Sequence, residues 1–356
     1  MVLNPAMQRV LDDYDPRRIT VATLCSHSSM QIFDGARKEG FKTLGISVGP
    51  RPRFYDGFPR AKPDAFLELG SMDEMKDKAA DLVAQNVVIV PHGSFVEYMG
   101  VDKYLKLPVP SFGNKKVLQW EADRAREYEW LKDAGLPLPQ SIEDPRDIIE
   151  PVIVKYDGAK GGRGFFVAKN YHEFMRKVDK TKRYHIQEFV LGTRYYLHYF
   201  YSPLVHEGYK VRNGSLQMLS IDRRDESNID ELNRLGSIAE LEEVGIPPTF
   251  VVTGNIPMVI RESLLPKVFD MGERVVEKSL DLFGGLVGPF CLETVVTDKL
   301  EFKVFEISAR IVAGTNPYVS GSPYADLIDP GMSTGRRIAK ELRLASTQRK
   351  MAEVCS

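Results

Sequence analysis

The chain has 356 residues, 43% apolar and 27% charged, which suits two or three globular domains with ample core. A net charge of −1 argues against a broad electrostatic footprint for nucleic acid, and no apolar run approaches the roughly 18 residues of a bilayer-spanning helix. Three scattered cysteines, Cys25, Cys291 and Cys355, form neither a CxxC pair nor a disulfide framework.

The first segment, MVLNPAMQRVLDDYDPRR, reads as a short amphipathic helix. It carries acids and lacks the apolar centre of a signal peptide, so a reducing cytoplasm is the expected setting. Strands and helices then alternate. ITVATL runs into CSHSS and a helix ending near Gly40, FKTLGISV is a second strand, AFLEL a third, and NVVIV leads into PHGSF. Such alternation predicts a mostly parallel, doubly wound α/β sheet, with ligands at the carboxyl ends of its strands. Ser26 to Ser29 and Pro91 to Ser94 stand at those ends.

KKVLQWEADRAREYEWLKDAGLPLP reads as one helix stopped near Gly135. VIVK and GFFVA are strands flanking the turn DGAKGGR, and YHIQEFVLG and RYYLHYFYS are strand-like. The stretch from Ser263 to Gly285 has helical apolar spacing, and Pro289 to Arg310 reads as a β-hairpin.

A glycine-rich turn between two strands can fold over a polyphosphate, because glycines admit close approach and their N–H groups donate to phosphate oxygens. Lys155, at the end of the strand before it, would aim an ammonium at the same group. The turn is neither a Walker A loop nor a dinucleotide fingerprint. Taken alone it could equally be a hairpin tip.

The hairpin strengthens the ligand reading. If its connecting loop holds an even number of residues, Glu293 and Glu306 point the same way from neighbouring strands, roughly 5 Å apart. Two carboxylates that close would share a Mg²⁺ at about 2.1 Å. Ser308 and Arg310 share a face with Glu306, and Arg310 adds a fixed donor for phosphate.

Lys155 with its glycine turn, QEFVLG, and Glu293 with Glu306-x-Ser308-x-Arg310 resemble, in that order, the ATP-grasp superfamily. Ser308 stands where that superfamily commonly carries Asn. The segments TLCSHSSMQIFDGARKEGF, VVIVPHGSF, FGNKKVLQWE, GAKGGRGFF, HYFYSPL, DRRDESNID, TGNIPMVIRESLLPKVFDMGE, GPFCLE and FEISARIVAGTN narrow the likeness. Together they resemble the archaeal formate-dependent FAICAR synthetases, from about Ile19 to Ala339.

The resemblance implies an ATP-grasp fold, α+β, preceded by the doubly wound parallel-sheet (pre-grasp) domain. Its expected units are residues 1–118, a small lobe over 119–200 and a large lobe over 201–356. It implies formylation of 5-aminoimidazole-4-carboxamide ribotide (AICAR) with formate and ATP, using Mg²⁺ or Mn²⁺, in a homo-oligomer without nucleic-acid or membrane partners. His27, Ser94 and Asn255 would contact AICAR. Lys155, Gly161, Gly162, Gln187, Glu188, Phe189, Val190 and Glu226 would contact ATP, with Lys115 or Lys116 along the phosphates. Glu293 and Glu306 would hold the metal, while Arg310 and Lys155 would neutralise the transferring phosphoryl group. Arg224 and Arg261 are further charge partners for phosphate or formate. Competing readings are an ATP-grasp ligase for another acid or amine, a non-catalytic nucleotide sensor, and a nicotinamide-dependent reductase; the last lacks the glycine fingerprint after the first strand.

Overall fold

The computed structural model describes residues 5–156, 164–228 and 250–356. The turn residues Gly158, Lys160, Gly161, Gly162 and Arg163 lie outside them.

Helix α1 (Pro5–Asp13) precedes a four-stranded sheet ordered β3-β2-β1-β4, built from β1 (Thr20–Leu24), β2 (Lys42–Val48), β3 (Ala65–Leu69) and β4 (Val87–Ile89). All its pairings are parallel, as the alternation with α2 (Ser29–Lys38) and α3 (Ala79–Ala84) requires. Short helices α4 (Gly93–Met99) and α5 (Val101–Lys106) follow β4.

The expected single helix after Asn114 is two. α6 (Lys115–Ala122) stops, and Asp123 caps α7 (Arg124–Asp133) by accepting from the N–H groups of Ala125 and Arg126. Local capping competes here with helix continuation, as Asp side chains often do.

The small lobe is an antiparallel sheet ordered β5-β8-β6-β7, from β5 (Ser141–Ile142), β6 (Val152–Tyr156), β7 (Phe165–Ala168) and β8 (Tyr184–Glu188), with α8 (Tyr171–Lys177) against it. It has its own small core of Val152, Val154, Ala168, Phe174 and Ile186.

The large lobe is a six-stranded sheet. Its strands are β9 (Thr193–Ser202), β10 (Tyr209–Val211), β11 (Gly214–Asn228), β12 (Phe250–Met258), β13 (Gly288–Val296) and β14 (Phe302–Ser308). The order is β10-β11-β9-β13-β14, with β12 also on β11. β9, which straddles position 200, pairs with β11 and β13 and so belongs to this sheet.

Helix α9 (Leu265–Phe283), ended by Gly284 in the left-handed region, covers the sheet's apolar face. Phe283 meets Trp130 of α7 edge to face at 5.0 Å, so one continuous core links the large sheet to the N-terminal sheet. Helix α10 (Thr334–Gln348) returns to cross α2. Gly35 and Gly335 meet there so tightly that a Cβ on Gly35 would lie 2.3 Å from the Arg336 backbone nitrogen.

Candidate active site

Glu293 of β13 and Glu306 of β14 are direct cross-strand partners. They share one face of the sheet with Tyr196, the partner of Glu293 on β9, and with Asp222, the partner of Tyr196 on β11. Arg224 supplies a compensating charge. Its Nη2 donates to Glu293 Oε1 at 2.8 Å and its Nη1 to Oε2 at 3.2 Å. The same guanidinium lies 3.6 Å from the centre of the Tyr196 ring. Glu293 is buried, whereas Glu306 keeps part of its surface in contact with solvent.

Two helical carboxylates complete the cluster. Glu127 of α7 accepts the Ile307 N–H at 2.7 Å, and Glu121 of α6 accepts the Ala309 N–H at 2.8 Å. They satisfy backbone donors of β14, the last strand in the sheet order, and of the residue that follows it. Desolvation, and then the charge of Glu306, pushes the Glu127 carboxyl well above the usual range; desolvation, and then Glu293, raises Glu306. Crowded acids of this kind accept cations readily.

Arg310 joins the two ends of the site. Its Nη2 bonds Glu121 Oε1 at 2.9 Å. A Cβ on Gly93 would lie 3.2 Å from that Nη2 and 3.2 Å from His27 Nε2. His27 therefore meets Arg310 across Gly93, at the carboxyl ends of β1 and β4. The His27 ring is 4.5 Å from that of His92, and Ser94 Oγ donates to Ser26 Oγ at 2.9 Å. Desolvation lowers His27 to about 4 and His92 to about 3; Arg310 acts in the same direction on both, and His27 does so on His92. Both imidazoles are therefore neutral near pH 7.

Asn255 of β12 is held rather than dangling. Its Nδ2 donates to Asp222 Oδ2 at 2.8 Å, and Asp222 Oδ1 meets His198 Nε2 at 2.6 Å. Arg194 bonds Glu226 at 3.2 Å.

A cavity of about 270 Å³ opens between the small lobe and the helix α7–β14 surface. Leu131, Leu138, Lys155, Gln187, Val304 and Phe305 line it, a mixture suited to an aromatic base with a charged tail. Burial lowers Lys155 from the usual lysine range, and its Nζ lies 5.8 Å from the Phe305 ring centre. Glu188 accepts from Lys303 and from the Gln140 N–H, the Phe189 N–H donates to Pro151, and Val190 is half-buried nearby in sequence. Gly161 and Gly162 lie outside the described residues.

One alternative is corrected. Lys115 points into the protein interior. Its Nζ is buried and donates to the carbonyls of Leu107 and Val109 at 2.8 and 3.0 Å, and desolvation lowers it to about 8. Lys116, one residue on around the helix, is exposed. Arg261 is exposed at the turn before α9, six positions along the chain from Asn255. Sequence reasoning missed Glu121, Glu127, His92 and Phe305. The Asp in EADRARE, a good N-cap, was the available sign of the helix break that places the two glutamates.

Among the described residues no cluster of three His, Cys, Asp or Glu side chains is arranged around one ion. The Glu293–Glu306 pair nonetheless fits Mg²⁺, a hard cation commonly held by one or two carboxylates with phosphate and water oxygens.

Residues 169–356 match the family described as "Domain of unknown function (DUF1297)", and residues 21–142 that described as "Protein of unknown function (DUF1246)". The 5-formaminoimidazole-4-carboxamide-1-(beta)-D-ribofuranosyl 5'-monophosphate synthetase 1 of Methanosarcina mazei is 61% identical over all 356 residues, covering 100% of both chains. The chain belongs to this synthetase family. The FAICAR synthetase of Pyrococcus abyssi is 49% identical over 95% of this chain and 98% of its own. The crystal structure of an IMP biosynthesis protein PurP from Thermococcus kodakaraensis superposes with a TM-score of 0.72 at 30% identity, covering 94% of this chain and 100% of that one. An ADP complex of N5-carboxyaminoimidazole ribonucleotide synthetase shares the fold at 14% identity, with a TM-score of 0.62 over 91% of this chain and 76% of that one. The chain thus carries these acids and cations on an ATP-grasp fold behind a parallel-sheet domain.

Proposed function

We propose that the chain formylates the 5-amino group of AICAR, using formate and ATP and releasing ADP and phosphate, in the biosynthesis of IMP. The observation that carries this reading is Arg310, which touches the carboxylate cluster through Glu121 and the N-terminal strand-end pocket beside His27 and Gly93.

Formate is a poor electrophile because its charge is spread over two oxygens. A formate oxygen attacks the γ-phosphorus, the bond to ADP breaks, and formyl phosphate results. The AICAR amine then attacks the formyl carbon, phosphate leaves with the bridging oxygen, and the nitrogen gives up one proton. Lys155 and Arg310 offset charge on the transferring group, while Gln187 and Phe305 seat the base. Mg²⁺ held by Glu293 and Glu306 would neutralise the polyphosphate. His27, Ser94 and Asn255 hold the amine against the acyl carbon, a positioning effect worth several kcal/mol. Neutral His27 and His92 avoid adding repulsion beside Arg310.

Incubation with AICAR, ATP, Mg²⁺ and [¹⁸O]formate tests the reading. Formylated product, ADP and ¹⁸O in the released phosphate are expected; ADP without ¹⁸O transfer would rule out the acyl phosphate route. A ligase for a different acid or amine is the second reading, favoured by the two numbered synthetases of M. mazei, 61% and 54% identical to this chain. ADP release driven by another carboxylate but not by formate would select it. We place the reaction in the cytoplasm and in a homo-oligomer; exposed apolar residues Val259, Leu327 and Ile328 support the latter, and sedimentation tests it.

A further inference from the structure

We infer that Glu121 is a positioning residue for the ligase step, fixing the Arg310 guanidinium between the nucleotide cleft and the N-terminal pocket. The inference rests in part on the proposed function, because Arg310 takes its role from that reading.

The geometry is specific. One oxygen of Glu121 holds Arg310 Nη2 at 2.9 Å, and the other holds the backbone N–H of the preceding residue, Ala309, at 2.8 Å. A single carboxylate thus sets both the path of the chain leaving β14 and the direction of the side chain that follows. Glu121 can do so because α6 ends one residue later and Asp123 starts α7 afresh. Gly93 leaves room on the far side of the guanidinium, where a Cβ would crowd Nη2.

A second observation points to a ligand. Arg310 Nε is buried and has no hydrogen-bond partner among the described residues. A buried guanidinium N–H without an acceptor is costly, and an anion entering between the two half-sites would satisfy it. With Nη2 held by Glu121, Nε is left for the carboxylate or phosphoryl oxygen that arrives during turnover. A capping role alone would need only an acceptor for Ala309; the salt bridge serves the orientation of Arg310.

Glu121→Gln separates the two roles, since the amide oxygen still accepts from Ala309 while the anionic partner of Nη2 is lost. With AICAR, formate and ATP saturating, kcat for ADP release is expected to fall about 10- to 100-fold. KM values for ATP and AICAR should stay within about twofold and the thermal midpoint should hold. In an Arg310→Lys background the same change should cost little more, because the two residues act as one unit. A crystal structure of Glu121→Gln should show the guanidinium displaced from Gly93. Unchanged kcat, or a loss that tracks a falling thermal midpoint with Arg310 unmoved, would overturn the inference. If the unmodified protein releases no ADP with any acid, the functional reading fails. The guanidinium position in the variant crystal then decides the positioning claim by itself.

Discussion

Glu293 stands directly opposite Glu306 even though the loop between their strands, Thr297 to Glu301, holds an odd number of residues. Near the turn Val296 pairs with Phe302 and Thr294 with Val304. Continued unbroken, that register would set Glu293 opposite Phe305 and turn Glu306 to the other face. The ladder instead shifts between Glu293 and Thr294, with Phe305 as the extra residue. One bulge therefore creates the acidic pair, and it directs the bulged residue, Phe305, to the wall of the adjoining cavity.

Glu306→Gln should abolish ADP formation and leave AICAR binding nearly intact, since the change removes a charge at the phosphate end of the cleft only. Calorimetric titration with AICAR beside an ADP-release assay reads both. An equal loss of AICAR affinity would contradict the assigned role.

His27→Ala should raise the KM for AICAR more than that for ATP. His27 lies against Gly93 and Arg310 at the strand ends, on the N-terminal side of the site. Steady-state kinetics with each substrate varied in turn gives the ratio, and a selective ATP defect would count against the placement.

Acid should destabilise the fold through its two neutral histidines. Unfolded, each binds a proton below about pH 6.5; folded, His27 waits until about 4 and His92 until about 3. The unfolded state binds more protons in that window, so stability falls as pH falls, by about 1.4 kcal/mol per pH unit for each histidine. The raised carboxyls of Glu121, Glu127 and Glu306 act in the opposite direction. The test is therefore a difference: His92→Gln should lose less stability than the unmodified chain between pH 6.5 and 4.5 in urea titrations. Identical slopes would refute it.

Gly35→Ala should destabilise the chain by about 1 to 3 kcal/mol, through overpacking where α2 crosses α10. The added methyl would meet backbone atoms of Gly335 and Arg336, which cannot rotate away. Denaturant unfolding at pH 7 measures the loss. An unchanged midpoint would mean that the two helices separate freely.

Much of this protein was readable from local signals. Alternating β-rich and helical segments marked the parallel sheet, because periodicity along the chain reports which face is buried. The acids at 293 and 306, the lysine at 155 and the arginine at 310 were likewise visible as chemistry at informative spacings. Other features depend on contacts between distant segments. Opposition of Glu293 and Glu306 needed a bulge that loop parity alone would have missed. The helix break at Asp123 brought Glu121 and Glu127 against β14. Lys115 turned inward to two carbonyls, a direction its position beside Lys116 could not reveal. His198 and Asp222 closed on Asn255 only when β9, β11 and β12 lay side by side. The sequence by itself determined which groups were present and which segments form strands and helices, since those follow from residue type and short-range backbone geometry. Only the tertiary structure decided which charges share a site, since that is set by register and packing between strands and helices far apart in the chain.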